Sequence, residues 1–508
     1  MDQNTAPRLI RPLNNGLLPV RSDALRPNRR QSPRRWGNLS AAAASLRVSL
    51  TPTADAVRIC IFGLMMVNIS AIQMYMGPVR LLRPGMTFLA LAFLLAVSKP
   101  TLVAWKNMTA SYPSKWIMVF FGLACGSALF GLSLGGSASY ILNVYSRNLL
   151  FFFLIVIAIR NVHDLALLMW SFVVSVGVLV VLAQTVLNLE VTREGLGRLE
   201  GGEGMFDAND LGMILVMALP LALLFFFNGK PRTRMLSLGT MIGIPVTIAL
   251  TGSRGALIGL VVVGLTILVT LRRISVVKRV SILAVVAAGL FFAAPDGYWK
   301  QMSTLLNLKE DYNYSVDYGR KGIAKRGLGY MLGRPFFGVG VANFPRAEGT
   351  ISPIASARLS EGLSVEWIAP HNTYVNVGAE MGIPALIIWL SLLLGGTVGL
   401  WRLRRRLPAS WEHESAERKF LRDACLFLPI SFLGFAVTSL FLSHAYTIVP
   451  YIIFAYLGGL HLLVHNELQV GPMEGALAVE SASGGRGSGS FRTIGQRGGL
   501  AAPKPMAG

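Results

Sequence analysis

The chain has 508 residues, of which 53% are hydrophobic and only 14% are charged. This balance excludes an ordinary water-soluble enzyme and is typical of a protein with many membrane-spanning segments. The formal net charge of +22 raises the question of a nucleic-acid partner. Lys and Arg, however, cluster at the ends of apolar stretches and in the terminal regions, which indicates a charge bias across a membrane and argues against nucleic acid.

Twelve apolar stretches are long enough to cross a bilayer. Each is predicted to be a helix, because backbone polar groups inside lipid must be satisfied within the segment. We therefore predict an all-α, polytopic membrane protein with nine spans in residues 55–295 and three in residues 372–466. The stretches lie at residues 56–76, 86–104, 116–136, 138–160, 165–188, 208–227, 235–252, 254–271, 279–295, 372–401, 422–442 and 445–465.

The polar segments between and around these spans predict the orientation. Residues 1–54 form a basic arm and residues 467–508 a Gly- and Ser-rich tail, and both are predicted to be disordered and cytoplasmic. Basic connections recur on the same side as this arm, as the positive-inside rule expects, although Arg80 and Arg83 fall on the other side. The long polar interval 296–371 is then a periplasmic loop, and a loop of this length between spans usually carries function.

Ionisable residues at the edges of the spans are functional candidates, because charge near lipid is costly. Arg254 lies between two spans and either faces the long loop or extends to lipid headgroups. Arg147, in the fourth span, raises the same question. Within the loop, Arg320 and Arg326 lie on a helix-like segment. Guanidinium groups bind phosphate through paired hydrogen bonds, so three converging arginines would hold a diphosphate; the alternative is a solvated amphipathic face.

His371 is the only histidine in the long loop. It precedes Asn372 and Thr373 at the expected start of a helix, where either side chain would cap the free N–H groups. An imidazole accepts a proton near neutral pH, so His371 is a candidate general base, although a lone histidine is more often merely polar. No metal site is predicted, since the other histidines show no ligand spacing. They are His163, His413, His444, His461 and His465.

Several short motifs occur in a fixed order along the chain. The last is the most specific: His371-Asn372 is followed, after nine residues, by Gly382-Ile383-Pro384. The other motifs are Phe206-Asp207-Ala208-Asn209-Asp210-Leu211-Gly212, Thr251-Gly252-Ser253-Arg254-Gly255-Ala256, Tyr318-Gly319-Arg320 and Pro335-Phe336-Phe337-Gly338-Val339-Gly340. In this order and spacing the motifs resemble the O-antigen ligase/polymerase superfamily. Ile258 stands where the ligase pattern has Leu, so the branch of the superfamily stays open.

The resemblance implies a glycosyltransferase of the bacterial cell inner membrane that needs no metal or other cofactor. It implies a polyprenyl (undecaprenyl) diphosphate-linked glycan as donor and a glycan or lipid A-core as acceptor, with membrane lipids and a chain-length regulator as further partners. Arg254 and Arg320 match the arginines that contact the donor diphosphate, and His371 matches the histidine near the acceptor. The remaining residues expected to bind substrate are Arg326, Asn372, Arg147 and Asn209.

We expect inverting transfer in which His371 takes the proton of the acceptor hydroxyl while Arg254 and Arg320 stabilise the leaving diphosphate. Two outcomes stay open within this class, a polymerase that joins lipid-linked repeats and a ligase that moves finished glycan to its acceptor. A polytopic transporter of a small or lipid-linked solute is the alternative from another class.

Overall fold

The computed structural model describes residues 55–75, 77–187, 189–191, 197–199, 207–271, 274–295, 297–303 and 319–484. The predicted basic arm, the motif residues Phe206 and Tyr318, and the tail beyond residue 484 lie outside these residues. Up to residue 187 the helices are α1 (Ala56–Ser70), α2 (Gly77–Leu81), α3 (Pro84–Ser98), α4 (Asn107–Ala110), α5 (Tyr112–Phe130), α6 (Leu134–Tyr140), α7 (Ser146–Ala158) and α8 (Val162–Thr185).

Two short strands, β1 (Leu189–Val191) and β2 (Gly197–Leu199), pair antiparallel with Leu189 opposite Leu199. Helices make up the rest of the regular structure in the described residues. They are α9 (Ala208–Asn228), α10 (Pro231–Thr251), α11 (Arg254–Thr270), α12 (Val276–Ala293), α13 (Tyr298–Ser303), α14 (Arg320–Gly333), α15 (Phe344–Thr350), α16 (Pro353–Ser360), α17 (Thr373–Arg406), α18 (Ala416–Thr438) and α19 (Ile448–Gly484).

The predicted all-α, polytopic membrane fold is confirmed. Within the described residues, nine helical segments are long and apolar enough to cross a membrane, and one of them joins α6 and α7 through a π-helical turn at Ile141–Tyr145. Three shorter apolar helices occupy the remaining predicted spans: α1 and α3 have 15 residues each, and α11 has 17.

The boundary between α10 and α11 falls at Gly252 and Ser253, where the predicted spans 235–252 and 254–271 meet. Gly252 ends α10 in the left-handed region with a φ of 59°, which glycine adopts without steric cost. Ser253 then caps α11 by accepting a hydrogen bond from the Ala256 backbone N–H. Two consecutive spans are thereby separated by a two-residue turn.

The long interval contains four helices, α13 to α16, in its described part. α14 packs against α17 and α15 so closely that a Cβ on Gly327 would lie 2.4 Å from Val375 and 2.9 Å from Phe344. A small apolar core forms beneath it, separate from the main core of the spans. Its residues are Ile323, Tyr330, Val339, Phe344, Ala347 and Ala379.

The segment 335–344 is fastened to a kink in α17. Gly382 has a φ of 83° inside this helix, and its neighbour Ile383 donates its backbone N–H to the Pro335 carbonyl at 2.7 Å. The Glu380 carboxylate lies just N-terminal to the kink and accepts hydrogen bonds from the backbone N–H groups of Ala342 and Phe344, both at 3.0 Å. The motif that begins at Pro335 and the motif that ends in Gly382-Ile383-Pro384 therefore contact each other.

The last helix differs from the sequence-based boundary. α19 continues to Gly484, so the tail predicted to be disordered from residue 467 begins as helical backbone.

Candidate active site

Four helix N-termini meet at one place, those of α9, α11, α14 and α17. Ser253, which caps α11, donates its hydroxyl to the Oδ1 atom of Asn209 on α9 at 2.7 Å. At the start of α17, Thr373 donates to the Leu442 carbonyl at 2.7 Å. Phe441, next to Leu442, lies against both α11 and the first residue of α14. Since each helix N-terminus carries partial positive charge, their meeting point favours a bound anion.

Arg254 and Arg320 each occupy the first helical position, of α11 and α14 respectively. Phe441 lies close to the starts of both helices. The Arg320 guanidinium carbon is 5.8 Å from the centre of the Phe441 ring, and a Cβ on Gly255 would lie 2.9 Å from the Cδ2 atom of that ring. A cation at a helix N-terminus faces the positive end of the helix dipole, which is unfavourable unless an anion is close. The predicted pair of arginines is thus brought to one site.

Two carboxylates lie at the α9 corner of this site. Asp207 caps the helix by accepting from the backbone N–H groups of Asn209 and Asp210, at 2.7 and 2.8 Å. Asp210 in turn accepts from the Asp207 backbone N–H at 3.3 Å, which completes a capping box. The acidic first turn offsets the helix dipole of α9, so the positive potential is concentrated at α11 and α14.

His371 lies beside Arg320, Asp207 and Asp210. Its φ of 45° is in the left-handed region, which is uncommon for a residue other than glycine and is often found at functional positions. Although the residue is exposed, desolvation by the surrounding protein lowers its pKa, and the positive charge of Arg320 lowers it further. The two aspartates act in the opposite direction. The imidazole is therefore neutral at pH 7 and can accept a proton.

Asn372 is the N-cap of α17. Its Oδ1 atom accepts from the backbone N–H groups of Tyr374 and Val375, both at 3.0 Å. This identifies Asn372 and not Thr373 as the capping residue. The cap orients the backbone that carries His371, a contribution distinct from the direct substrate contact expected from the sequence.

His444 lies in the same site, although the sequence offered no reason to select it. Its Nε2 atom is 2.6 Å from Oδ1 of Asp210, and its Nδ1 atom is 2.7 Å from the Thr447 hydroxyl. Its backbone N–H donates to the Thr373 hydroxyl at 3.0 Å. His444 therefore ties the start of α9 to the start of α17. Asp210 and His444 are 234 residues apart, so the sequence does not show that they pair. The only feature of the sequence that points to this contact is the acidic motif at the start of α9.

Arg326 is engaged in the interior of the long interval. Its Nε and Nη2 atoms contact the Glu348 Oε2 atom at 2.8 and 2.5 Å, and Tyr330 donates its hydroxyl to Oε1 at 2.8 Å. The Glu348 side chain is fully buried and that of Arg326 is 11% exposed. An ion pair of this kind holds α14 to α15, so we do not include Arg326 in the proposed donor site.

Arg147 is exposed near the start of α7, where its Nη1 atom is 3.6 Å from the Met86 sulfur on α3. This contact links α7 to α3. Among the described residues, no group of three or more His, Cys, Asp and Glu side chains is arranged to hold a metal ion.

The O-antigen ligase family matches residues 238–390, which include Arg254, Arg320 and His371. No curated protein matches the chain significantly. The family match confirms the resemblance drawn from the sequence motifs: residues 238–390 are similar to the O-antigen ligase family, which supports a ligase or polymerase type of function in surface polysaccharide synthesis.

Proposed function

We propose that this protein is an inverting membrane glycosyltransferase that uses a polyprenyl diphosphate-linked oligosaccharide as donor in surface polysaccharide synthesis. The observation that carries the proposal is the pair Arg254 and Arg320, each at the N-terminus of a helix that lies against Phe441, with His371 close to Arg320. Two guanidinium groups at helix N-termini suit a diphosphate, which needs several donors and positive charge.

The reaction follows from the chemistry of these groups. The oxygen of an acceptor hydroxyl attacks the anomeric carbon of the donor sugar as the bond from that carbon to the diphosphate breaks. The proton of the hydroxyl passes to the neutral imidazole of His371, and the bonding electrons leave with the diphosphate. Attack opposite to the leaving group inverts the anomeric configuration.

Arg254 and Arg320 would stabilise the charge that develops on the diphosphate, an effect that typically supplies about 3–4 kcal/mol for one well-placed donor. In this scheme the guanidinium groups take the part that a metal ion plays in other phosphate-transferring sites, so the proposed reaction is metal-independent. Asn209 would act indirectly, since its side chain accepts from the Ser253 hydroxyl at the start of α11.

The donor's lipid tail requires an apolar surface next to this site. α12 supports such a location, because large apolar side chains along it, including Val285, Phe291 and Phe292, are exposed. The proposed membrane is the bacterial inner membrane, with the site on its periplasmic side and both termini in the cytoplasm. The acceptor would be a glycan or a lipid A-core.

Replacement of the chromosomal copy by His371→Ala, Arg254→Ala or Arg320→Ala tests the proposal. Each variant should lose surface glycan at an unchanged membrane level of protein, measured by glycan electrophoresis and immunoblot. Accumulation of single lipid-linked repeats would identify a polymerase, whereas long chains retained on the lipid carrier would identify a ligase. The purified wild-type protein should convert a polyprenyl diphosphate-linked glycan without added metal.

Matched controls are His413→Ala and Arg346→Ala, since both residues are exposed and neither lies at the four helix N-termini. Both should keep the wild-type glycan profile. An unchanged profile in the His371 and arginine variants would contradict the proposed roles. Vesicle uptake of a solute or lipid-linked glycan without glycosyl transfer would favour a transporter.

A further inference from the structure

A cavity of about 470 Å³ opens between the segment before α5 and the last membrane helix. It lies far from the candidate active site along α19. This helix begins at Ile448, four residues after His444, whereas the α19 residues that line the cavity fall between Gly459 and Asn466. At 1.5 Å per residue the cavity is roughly 17–27 Å from Ile448 along the helix axis.

The side chains around this cavity are those of a membrane–water boundary. Trp105 is 40% exposed and lines the cavity next to Lys106. Tyr112 and Trp116, which are also exposed, follow on the first turns of α5. Aromatic residues with a Lys at the end of a span are typical of the level of the lipid headgroups. The cavity therefore opens where headgroups of the bilayer lie.

The cavity combines positive charge with an apolar wall. Lys106 is exposed and makes no ion pair within the described part of the chain. Arg160 also lines it and is held in place through its Nε and Nη2 atoms, which pair with Asp164 and Asp55 at 3.0 and 3.3 Å. Leu462 contributes an apolar surface on α19. A cation beside an apolar wall fits a ligand with an anionic head and a hydrocarbon chain.

Hydrogen bonds and close packing within the protein hold the walls of the cavity in place. Asn107 donates its side-chain N–H to the Ile159 carbonyl at 2.7 Å, and Ala104 donates its backbone N–H to the Ile157 carbonyl at 2.7 Å. A Cβ on Gly459 would lie 2.5 Å from Ile159, so α19 is in close contact with the same segment. Lys106 is consequently presented from a structured turn.

We propose that this cavity is a binding site for the phosphate-bearing headgroup of an anionic membrane lipid. Lys106 contacts the phosphate, Arg160 is held at the cavity wall by Asp55 and Asp164, and the acyl chain lies along Leu462. Basic pockets between membrane helices bind anionic headgroups in this way. The inference does not depend on the proposed glycosyltransferase activity.

The test uses delipidated full-length protein in neutral detergent, titrated with phosphatidylglycerol or phosphatidylcholine. Thermal unfolding and native mass spectrometry report binding. Phosphatidylglycerol should raise Tm and remain bound, and phosphatidylcholine should do neither. Lys106→Gln should weaken phosphatidylglycerol binding about fivefold, which corresponds to about 1 kcal/mol. Asn466→Trp, which fills the cavity without changing charge, should weaken binding as well.

Lys99→Gln is the matched control, because this lysine is exposed at the end of α3 and does not line the cavity. It should bind phosphatidylglycerol like the wild type. Two results would overturn the site. One is an equal loss of phosphatidylglycerol binding in the Lys106 and Lys99 variants. The other is unchanged phosphatidylglycerol binding in Lys106→Gln or in Asn466→Trp. Inorganic phosphate or glycerol 3-phosphate giving the full Tm shift would overturn a lipid ligand.

Discussion

His371 combines an unusual backbone with a lowered pKa. In the described part of the chain no hydrogen bond engages its ring, while Arg320, Asp207 and Asp210 surround it electrostatically. Its left-handed φ costs on the order of 1–3 kcal/mol for a residue other than glycine, so neighbouring contacts must maintain it. The Asn372 cap and the Thr373 hydrogen bonds supply them. A catalytic role explains a strained, accessible imidazole beside helix N-termini better than a role in packing does.

The pH dependence of activity follows from this environment. Because the neutral imidazole is the base, kcat/KM should fall as the pH drops through the pKa of His371, and this acid limb should lie below the ordinary value of 6.5. Asp210 raises the pKa, so Asp210→Asn should move the limb to lower pH. Glycosyl transfer by purified protein across a range of about pH 4–8 measures both.

Glu361→Gln is the control for that shift, since Glu361 is an exposed carboxylate of the same interval. Its acid limb should coincide with that of the wild type. A limb at or above 6.5, or one that Asp210→Asn does not move, would show that His371 is not the titrating base.

Arg326 tests whether a predicted substrate ligand is instead structural. Arg326→Ala would leave the fully buried Glu348 carboxylate without its cation, and the loss of one partner of a buried pair costs about 3–5 kcal/mol. We expect a clear drop in Tm in detergent. Lys325→Ala, on the exposed side of α14, should leave Tm unchanged. Wild-type Tm with lost activity in Arg326→Ala would restore the donor-binding role.

At the scale of elements, the kink of α17 decides where the long interval is held. Gly382 combines a positive φ with backbone contact, since a Cβ there would lie 2.5 Å from the Pro335 carbonyl oxygen and 2.6 Å from the Phe336 carbonyl carbon. Neither atom can move away as a side chain would. The segment 335–344 is thus positioned by a glycine in another element.

Gly382→Ala should detach this segment. Strain at a positive φ and the backbone clash together should cost at least about 1–3 kcal/mol, with faster hydrogen exchange in residues 335–344. Gly399→Ala on the same helix is the matched control, because a Cβ there would have no heavy atom within 4 Å and alanine favours helix. Similar exchange in both variants would mean that the kink does not hold the segment.

At the scale of the whole molecule, the proposed periplasmic location of the site depends on the orientation of the spans. In a variant with Cys60, Cys125 and Cys425 replaced by Ala, a cysteine at Glu361 should react with a membrane-impermeant maleimide added outside spheroplasts. A cysteine at Arg232, in a basic connection on the opposite side, should react only after permeabilisation. The reverse pattern would invert the proposed topology.

Local signals in the sequence were sufficient to predict the spans, the break between the spans at Gly252 and Ser253, and the helix start at Asn372. Hydropathy, glycine conformation and capping each depend on a few adjacent residues, so a sequence displays them directly. The family motifs also located Arg254, Arg320 and His371 as candidates.

The partners of these residues were decided by packing between distant segments. Asp210 meets His444 across 234 positions, and Arg326 pairs with Glu348 although its charge alone suited a diphosphate. Gly382 and Pro335 belong to separate motifs in the sequence, and the helix kink joins them. A charge or a glycine in a sequence states what a residue can do, whereas the tertiary structure selects its partner among all the complementary groups that the fold brings within reach.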